Sequence, residues 1–533
     1  MREDPAVPPS SISPQARSIS PGRLILAVLL LLPAALGCAL TQLWPTVGTL
    51  ALSLQDTDIL KAQSTWIGLD NYAFLFERED LARAFLFALT LAFVRVLAVA
   101  VVPPVMGWAV TRLSGGGGAL SRGLAALPAL FYLPGALGLA LLLTLMGQRS
   151  AGQTGLSAWL TEPATAPVFV GLVDGLAALA FGVSLGVVVF GAAARSAQPR
   201  KWMLVAWVGS IATAAALGWQ VVDLPMTLTN GGPARATMTP LLLAFQLFAQ
   251  SMQSGVGAAV ASLTLLPILG LGLLAGLGVA FARPTLEAVD DASPQARPSG
   301  LALAGLVVGG GITAVAVLLL AWIYLVPLLS GSTDRLPDIN GLVVWSDSLL
   351  SPVAGVVINL VLALLGAYAI GGLRPLGRNS LWLLLPFAPW LFVTPALHAF
   401  DWLLRYGEIG VLGTWVALIP PGFSPAVLTI LAIAFFGVRA TAGGRSRALP
   451  WALAVALAGV WSLSAIYDLF WQFMLSGPRV ATWVMLVTRA SQRMQGVDLS
   501  LWLSLWAPAL SIGLGLIVWM ILFGHRLRLA RAE

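Results

Sequence analysis

The sequence is poor in the residues that build disulfides and metal centres. Its 533 residues include one cysteine, Cys38, and two histidines, His398 and His525. A single cysteine cannot form an internal disulfide or a cysteine-based metal cluster. Two histidines so far apart match no zinc-binding spacing. The sequence therefore predicts no disulfide framework and no resident metal.

Lysine is also scarce, which bears on nucleotide chemistry. A Walker A motif needs the pattern GxxxxGK followed by Ser or Thr, because the lysine and backbone amides hold phosphates. The only two lysines, Lys61 and Lys201, lie outside any such pattern. We therefore expect no cofactor in this chain and no enzymatic activity of its own, so that any ATPase is a separate subunit.

Charged residues are few and apolar residues are abundant. Only 10% of the residues are charged and 58% are hydrophobic, whereas soluble domains carry about 25% charged residues. A soluble fold could not hide this much apolar surface, so the partner of most of the chain is the lipid bilayer. The net charge is +7, but the basic residues lie in short loops between apolar runs. We therefore expect no nucleic-acid partner.

One stretch occurs twice, half a chain apart. The first copy reads VDLPMTLTNGGPARAT over 222–237 and the second reads YDLFWQFMLSGPRVAT over 467–482. The two copies align without a gap, and each lies between apolar runs. The coinciding residues are Asp223 and Asp468, Leu224 and Leu469, Gly232 and Gly477, Pro233 and Pro478, Ala236 and Ala481, and Thr237 and Thr482. This constant spacing indicates an internal duplication.

Apolar runs extend the duplication to the whole chain. About 20 apolar residues span a bilayer as a helix, which predicts an all-α membrane protein with about twelve transmembrane helices in two similar six-helix halves. The first half, 23–281, has predicted helices near 24–44, 84–111, 119–147, 166–194, 201–222 and 255–281. The second half, 300–533, has them near 300–328, 352–373, 380–404, 409–437, 448–472 and 497–524. The Pro420-Pro421-Gly422 break is a point at which the tenth helix could divide.

Two segments lie outside the predicted halves. Residues 1–22 are rich in Pro and Ser and lack apolar periodicity, which is typical of a disordered cytoplasmic tail. Residues 282–299 are polar, charged and contain proline, which favours a flexible cytoplasmic linker.

Orientation follows from the basic residues, because short cytoplasmic loops carry an excess of Lys and Arg. With the N-terminus inside, the predicted cytoplasmic segments hold Arg112, Arg122, Arg195, Arg200, Lys201, Arg283, Arg297, Arg374, Arg378, Arg439, Arg445 and Arg447. We therefore expect a multi-pass protein of the plasma (inner) membrane with both termini in the cytoplasm.

Charges inside predicted helices are candidates for function, because burying a charge in lipid is costly. Arg95 and Asp174 lie in the second and fourth predicted helices and either pair with each other or line a solute path. Asp223 and Asp468 lie near helix ends at equivalent repeat positions. They either cap an outer loop or contact solute near the outer mouth. These four residues are the candidate substrate path.

Three further polar residues cluster in the ninth predicted helix or near its end. His398 is interpreted as a hydrogen-bonded helix histidine rather than a proton relay. Asp401 and Arg405 are expected to face water.

Four motifs, in this order, carry a family resemblance. TWIGLDNYAFLF over 65–76 resembles the GLxNY segment of the permease subunits of maltose-type, binding-protein-dependent ABC importers. LTNGGPARAT over 228–237 resembles an outer loop of the same permeases. AYAIGGLRPLGR over 367–378 and GVLGTWVALIPP over 410–421 resemble segments of the partner permease. The resemblance implies a fusion of two permease subunits that are usually separate chains.

In that family the paired subunits form a path for sugars or similar polar solutes. A cytoplasmic ATPase dimer drives transport and an outer solute-binding protein delivers the solute. The resemblance therefore implies these two partners, with ATP bound on the ATPase subunit.

Two loops depart from the family pattern. The family's coupling loop begins Glu-Ala-Ala, has a glycine four residues later, and docks in the ATPase. The corresponding segments here read GAAARSAQPRKW over 191–202 and GVRATAGGRSRALPW over 437–451, which are short, basic and lack the glutamate. The residues assigned to these degenerate ATPase-facing loops are Ala193, Arg195, Arg200, Lys201, Arg439 and Arg445.

Three functions remain open at this point. The first is the membrane-spanning permease of an ABC-type importer for a sugar or similar polar solute. The second is a permease-derived membrane scaffold that has lost ATPase coupling and anchors other proteins. The third, a proton-driven transporter, needs a relay of embedded acids and ranks last.

Overall fold

The computed structural model describes residues 21–57, 64–113, 140–141, 145, 155–289, 299–329, 341–420, 422–438, 444–477, 480, 482–492 and 499–531. Its α-helices in the first part of the chain are α1 Pro21–Cys38, α2 Trp44–Ser53, α3 Asp70–Phe76, α4 Glu79–Ala100, α5 Val102–Leu113, α6 Gly155–Thr161, α7 Ala166–Ala194, α8 Pro199–Trp219, α9 Asp223–Leu228, α10 Pro240–Phe245 and α11 Ser254–Ala282. Those that follow are α12 Gly300–Leu329, α13 Gly341–Ala367, α14 Pro395–Glu408, α15 Pro425–Val438, α16 Gly444–Ile466, α17 Leu469–Leu475, α18 Trp483–Gln492 and α19 Leu499–Leu522.

Other elements are short. Single π-helical turns follow α1, α10 and α13, and a 3₁₀ helix runs over Gly377–Trp390. Strands β1 Gln55–Asp56 and β2 Thr65–Trp66 form one antiparallel pair, and β3 Pro284–Ala288 and β4 Leu527–Arg531 form another.

The described residues confirm the membrane class. They include nine helical segments long and apolar enough to cross a bilayer, or ten if one pair bent by 68° counts as a single span. The chain is therefore an α-helical, multi-pass membrane protein. The helix predicted over 166–194 coincides with α7. The one predicted over 255–281 is one residue shorter than α11 at each end, and the one over 300–328 is one residue shorter than α12 at its C-terminal end. Most of the helix predicted over 119–147 lies outside the described residues.

The ninth and tenth predicted helices are not continuous spans. In place of a helix over 380–404, the chain forms the 3₁₀ helix Gly377–Trp390, bends by 68° and continues as α14. Pro386 and Pro389 lie inside the 3₁₀ helix, where each removes a backbone donor that an α-helix would use. Of the helix predicted over 409–437 only α15 is helical, and residues 409–420 are turns.

Buried polar side chains satisfy this irregular backbone. Gln42 donates to the Phe423 carbonyl at 2.9 Å and Ser351 donates to the Trp415 carbonyl at 2.6 Å. The Asn359 side-chain oxygen accepts from the Ser424 amide at 2.7 Å. Irregular backbone within a membrane protein is tolerated where protein groups take the place of water. These side chains therefore allow the break before α15.

Gln220 does the same for the bend before α14. Its amide nitrogen donates to the Phe392 carbonyl at 2.9 Å, and its oxygen accepts from the backbone and hydroxyl of Thr394, each at 2.9 Å. Gln220 follows α8 and is 4% exposed. One buried amide thus joins the end of α8 to the bend in the later part of the chain.

The helix packing crosses between the early and late parts of the chain. Helix α1 packs against α13, and α12 packs against α5 and α7. Within the early part α5 packs on α7 and α4 on α8, and within the late part α13 packs on α15 and on α16. The two parts are therefore interlocked by their first long helices.

A strand replaces part of the predicted flexible linker. Residues 284–288, within the range 282–299, form β3 and pair with β4 in the register Leu286 to Leu529. Glu287 and Arg528 face each other in this register, and their side chains pair at 2.6 Å. Residues 290–298 lie outside the described residues. This linker is thus partly built into a sheet, which polar composition alone did not predict.

Replacing Gln220 by leucine is expected to destabilise the fold. The change removes the hydrogen-bond partner of the Phe392 carbonyl and of the Thr394 amide, which are partly buried, so each loss should cost no more than the about 1–3 kcal/mol of a fully buried group. The measurement is the thermal midpoint of the purified protein in one detergent. Gln198→Leu is the matched control because Gln198 is exposed at the start of α8. Equal midpoints for the two variants would contradict the role of Gln220.

Candidate functional site

The first pair of predicted path residues forms an ion pair between α4 and α7. The Arg95 Nε donates to Asp174 Oδ2 at 2.7 Å, and its Nη2 donates to Oδ1 at 2.6 Å. The Asp174 side chain is 2% exposed and that of Arg95 is 12% exposed. Glycine at 175 allows the close approach of the helices, because a Cβ there would lie 2.6 Å from Val94 Cγ1. The bidentate geometry is the strong form of such a pair.

The second pair of path residues meets at the start of α17. Asp223 Oδ1 accepts from the Phe470 amide at 3.0 Å, and Asp468 Oδ1 accepts from the Trp471 amide at 2.9 Å. These amides are consecutive, so the two carboxyl groups lie side by side. Asp223 belongs to the first repeat copy and Phe470 to the second. The two repeat copies are therefore joined by a hydrogen bond.

All four predicted path residues belong to one group, named here the ionic cluster: Arg95, Asp174, Asp223 and Asp468. The Arg95 charge acts on Asp223, and Asp223 acts on Asp468. Asp174 and Asp223 thus lie near one guanidinium, and Asp468 lies near Asp223. Asp174 is buried, whereas Asp223 and Asp468 keep intermediate exposure.

Electrostatics beside Asp223 favour a protonated Asp468. Burial and, to a smaller degree, the neighbouring Asp223 carboxyl raise the pKa of Asp468, the Trp471 amide lowers it, and the net result is a pKa of about 8. The surroundings are apolar, because the adjoining core contains Leu224, Tyr324 and Trp483. Removing the proton would place two negative charges together at low local dielectric.

Thr237 forms hydrogen bonds within the loop of the first repeat copy. Thr237 is fully buried, donates to the Gly232 carbonyl at 2.6 Å, and lies 2.6 Å from the Thr229 hydroxyl. The Gly232–Pro233 peptide bond is cis. Arg235 of the same copy pairs with Asp80 at the start of α4. The loop is therefore fastened to the end of the bundle that we call the repeat end.

The second copy has similar hydrogen bonds. Thr482 donates to the Gln472 side chain at 2.7 Å, and Gln472 donates to the Ile466 carbonyl at 2.8 Å. Gly477 packs directly on Gly413, where a Cβ would lie 2.8 Å from the neighbouring Cα. Pro478 lies outside the described residues. In both copies the threonine fixes the loop, so these residues have a structural role.

The predicted ATPase-facing residues lie at the opposite end, which carries the β3–β4 sheet and is called the sheet end. Ala193 is fully buried, and Arg195 donates to the Leu527 carbonyl at 2.8 Å and to the Gly524 carbonyl at 2.9 Å. Arg200 and Lys201 are exposed at the start of α8. Arg439 lies outside the described residues, and Arg445 lies on α16 with a side chain that is not described.

Several buried polar residues were not anticipated. Asp401, expected to face water, is 4% exposed and pairs with Arg405. Asp80 is also buried and accepts from Arg78 at 2.9 and 2.6 Å. The sequence signal was present in both cases, because an arginine lies within four residues. His398 Nε2 lies 3.1 Å from the Thr46 hydroxyl, as expected for a hydrogen-bonded helix histidine.

A hydrolase-like spacing falls inside a membrane helix. Gly182, Ser184 and Gly186 match GxSxG, but they lie within the continuous helix α7, and Ser184 is 1% exposed. A nucleophile elbow requires a sharp strand-to-helix turn. The spacing therefore gives no active site here.

The repeat end also has an open cleft of about 430 Å³. Its lining includes Gln55, Asp56, Asn71 and Gln253. Asn71, from the GLDNY motif, donates to the Ser53 and Gln55 carbonyls at 2.9 Å each. The cleft does not include the ionic cluster, and Asn71 shapes its wall.

Comparison with known proteins found no match, either to models of protein families or to curated proteins. In the described residues, no group of three or more His, Cys, Asp and Glu side chains is arranged to hold a metal ion.

Replacing Asp174 by asparagine is expected to lower stability strongly. The change removes the bidentate partner of the mostly buried Arg95 and leaves Asp223 as the neighbouring carboxyl group, so the cost should approach but not exceed the about 3–5 kcal/mol of an uncompensated buried charge. Glu79→Gln is the matched control, since the Glu79–Arg83 pair is exposed and worth about 0–1 kcal/mol. Thermal midpoints in one detergent measure both. Equal shifts would mean that another group balances Arg95.

Stability should also depend on Asp468 ionisation. A folded-state pKa raised to about 8 means that the stability is full below about pH 4 and is lost as the pH rises through 8. Asp468→Asn keeps the oxygen that accepts from Trp471 but cannot ionise. Between about pH 5 and pH 9, the thermal midpoint of the variant should therefore fall less than that of the parent. Parallel profiles for parent and variant would contradict this assignment.

Proposed function

We propose that the chain is the membrane-spanning permease component of an ABC-type importer for a sugar or similar polar solute. A separate ATPase supplies the energy. The observation that carries this proposal is the meeting of the two repeat copies, in which Asp223 of one copy binds the Phe470 amide of the other. An importer of this kind needs a polar path between two related halves, and the ionic cluster supplies polar groups at such a boundary.

The proposal includes twelve transmembrane helices in two similar halves. Reciprocal packing supports it, because α1 of the first half packs on α13 of the second and α12 packs on α5 of the first. The contacts of α5 with α7 are matched by those of the turn 368–373 with α15. A duplicated chain with pseudo-twofold symmetry would pack in this way.

Asp223 and Asp468 suit a hydroxyl-rich solute. Each residue retains accessible surface, and each uses Oδ1 for a backbone amide. The other carboxyl oxygens can accept from solute hydroxyl groups or, when protonated, donate to them. A cluster of three carboxyl groups and a single guanidinium disfavours an anionic solute.

The proposed orientation puts the repeat end outside and the sheet end in the cytoplasm of the plasma membrane. Both termini are then cytoplasmic. The exposed Arg200 and Lys201 at the sheet end agree with the excess of basic residues on that side. An outer solute-binding protein would meet the repeat end and an ATPase dimer the sheet end.

A second candidate function is a permease-derived scaffold without ATPase coupling. One observation favours it: the β3–β4 sheet packs against α7 and α15, the helices after which coupling loops would project. This sheet obstructs the access of a partner protein to those loops. The scaffold therefore remains a second candidate function until the partner proteins are identified.

Gentle purification of the tagged chain with mass spectrometry separates the two. The importer predicts a stoichiometric P-loop ATPase whose activity is raised by an outer binding protein. An unrelated multi-pass protein with the same tag is the control for adventitious recovery. Recovery of other envelope proteins with no ATPase, in detergent and in native lipid discs alike, would reject the importer in favour of the scaffold.

A further inference from the structure

The β3–β4 sheet fills the sheet end of the bundle with apolar side chains. Leu286 and Leu527 pack in the core that contains Leu431 and Phe436 of α15. Leu529 packs beside Phe190 and Ala193 of α7. The sheet therefore touches the ends of both helices after which the degenerate loops begin.

The backbone of β3 lies directly on α15. A Cβ at Gly437 would overlap the Leu286 carbonyl, which is a backbone atom that no rotamer change can move. The glycine thus permits the strand to lie against the helix. Arg374 also donates to the Phe436 carbonyl at this helix end.

The backbone of β4 is fastened to α7. Arg195, which follows α7, donates to the carbonyls of Leu527 and Gly524. Within the sheet, Glu287 is 4% exposed and pairs with Arg528, and the Val289 amide donates to the Arg526 carbonyl at 2.8 Å. Both strands are therefore anchored by charge-assisted or backbone hydrogen bonds.

The strands cross between the two parts of the chain. β3 follows α11 of the early part but packs on α15 and α16 of the late part. β4 follows α19 of the late part but packs on α7 of the early part. Separating α7 from α15 at this end requires the sheet to break or to leave one of them.

We propose that the β3–β4 sheet is an intramolecular clasp that holds the sheet end closed and covers the surface of α7 and α15. A cytoplasmic partner such as a P-loop ATPase must displace the clasp to reach that surface. The identity of this partner rests on the proposed function, but the clasp itself does not. Ala193, which packs with Phe190, Trp202 and Leu529, is the buried reporter of the state of the clasp.

The test measures cysteine labelling by a bulky maleimide in a Cys38→Ala background. Ala193→Cys, near the end of α7, is the covered reporter, and Gln198→Cys, in the loop that follows α7, is the exposed control. In the parent, Ala193→Cys should react at least about tenfold more slowly than Gln198→Cys, because exchange of a buried group needs local opening. Inside-out membrane vesicles expose the sheet end in the proposed orientation, and detergent-purified protein is tested in parallel.

Two independent changes should open the clasp. Arg528→Glu places like charges on Glu287, and Gly437→Ala pushes β3 from α15. Each should raise Ala193→Cys labelling by about tenfold or more without changing Gln198→Cys. The charge-swapped double variant Glu287→Arg/Arg528→Glu should return the rate toward the parent. Size-exclusion profiles confirm that each variant is folded.

Rapid labelling of Ala193→Cys in the parent would overturn the clasp. Unchanged labelling in both folded variants would overturn it as well. Neither result bears on whether an ATPase is recovered with the chain, so the importer is judged separately. A working clasp in a chain that recovers no ATPase would leave the clasp standing and remove the importer.

Discussion

The ion pair between Arg95 and Asp174 sets a constraint that much of the structure follows. A guanidinium placed well inside a membrane bundle must be matched there, because an uncompensated buried charge is costly. The matching carboxyl comes from α7, and the close approach at Gly175 brings the two helices together. Asp223 adds a second carboxyl group near the same guanidinium, and its Oδ1 accepts a hydrogen bond from the Phe470 amide. These contacts link the positions of α4, α7, α9 and α17 to the charge on α4.

The second constraint is that backbone amides and carbonyls within the bundle need hydrogen-bond partners, and it applies where the helices break. Prolines in the range 377–424 prevent long α-helices. The backbone carbonyls and amides of this segment therefore need other hydrogen-bond partners. Gln42, Gln220 and Asn359 supply them from segments far away in sequence. The irregular segments of this range are consequently held by the rest of the bundle as well as by their own turn hydrogen bonds. These contacts allow a defined shape where the long helices are interrupted.

The predictability of these features differs for a physical reason. The length of an apolar run depends on local composition, which is why the bounds of α7, α11 and α12 could be predicted within a residue. The repeat makes Asp223 and Asp468 equivalent in sequence, but their convergence depends on the packing of α9 against α17 and was not predicted. The bend before α14 and the β3–β4 pair depend on contacts between residues more than a hundred positions apart. No local pattern contains that information, and a polar segment such as 284–288 looks the same whether it pairs or not.

Both ends of the bundle contain apolar cores. At the repeat end, the hydrogen bonds of Thr237 and Thr482 lie beside a buried apolar core that includes Phe245, Phe400 and Trp471. At the sheet end, the closure rests on Leu286, Leu527 and Leu529 packed among helices, together with backbone pairing. Opening the second end exposes apolar surface and unpaired strand edges, so it needs an input of energy or a partner that covers them. The leucines and strand edges that the sheet would expose on leaving α7 or α15 therefore need a new cover, and a partner docking at this end is one way to supply it.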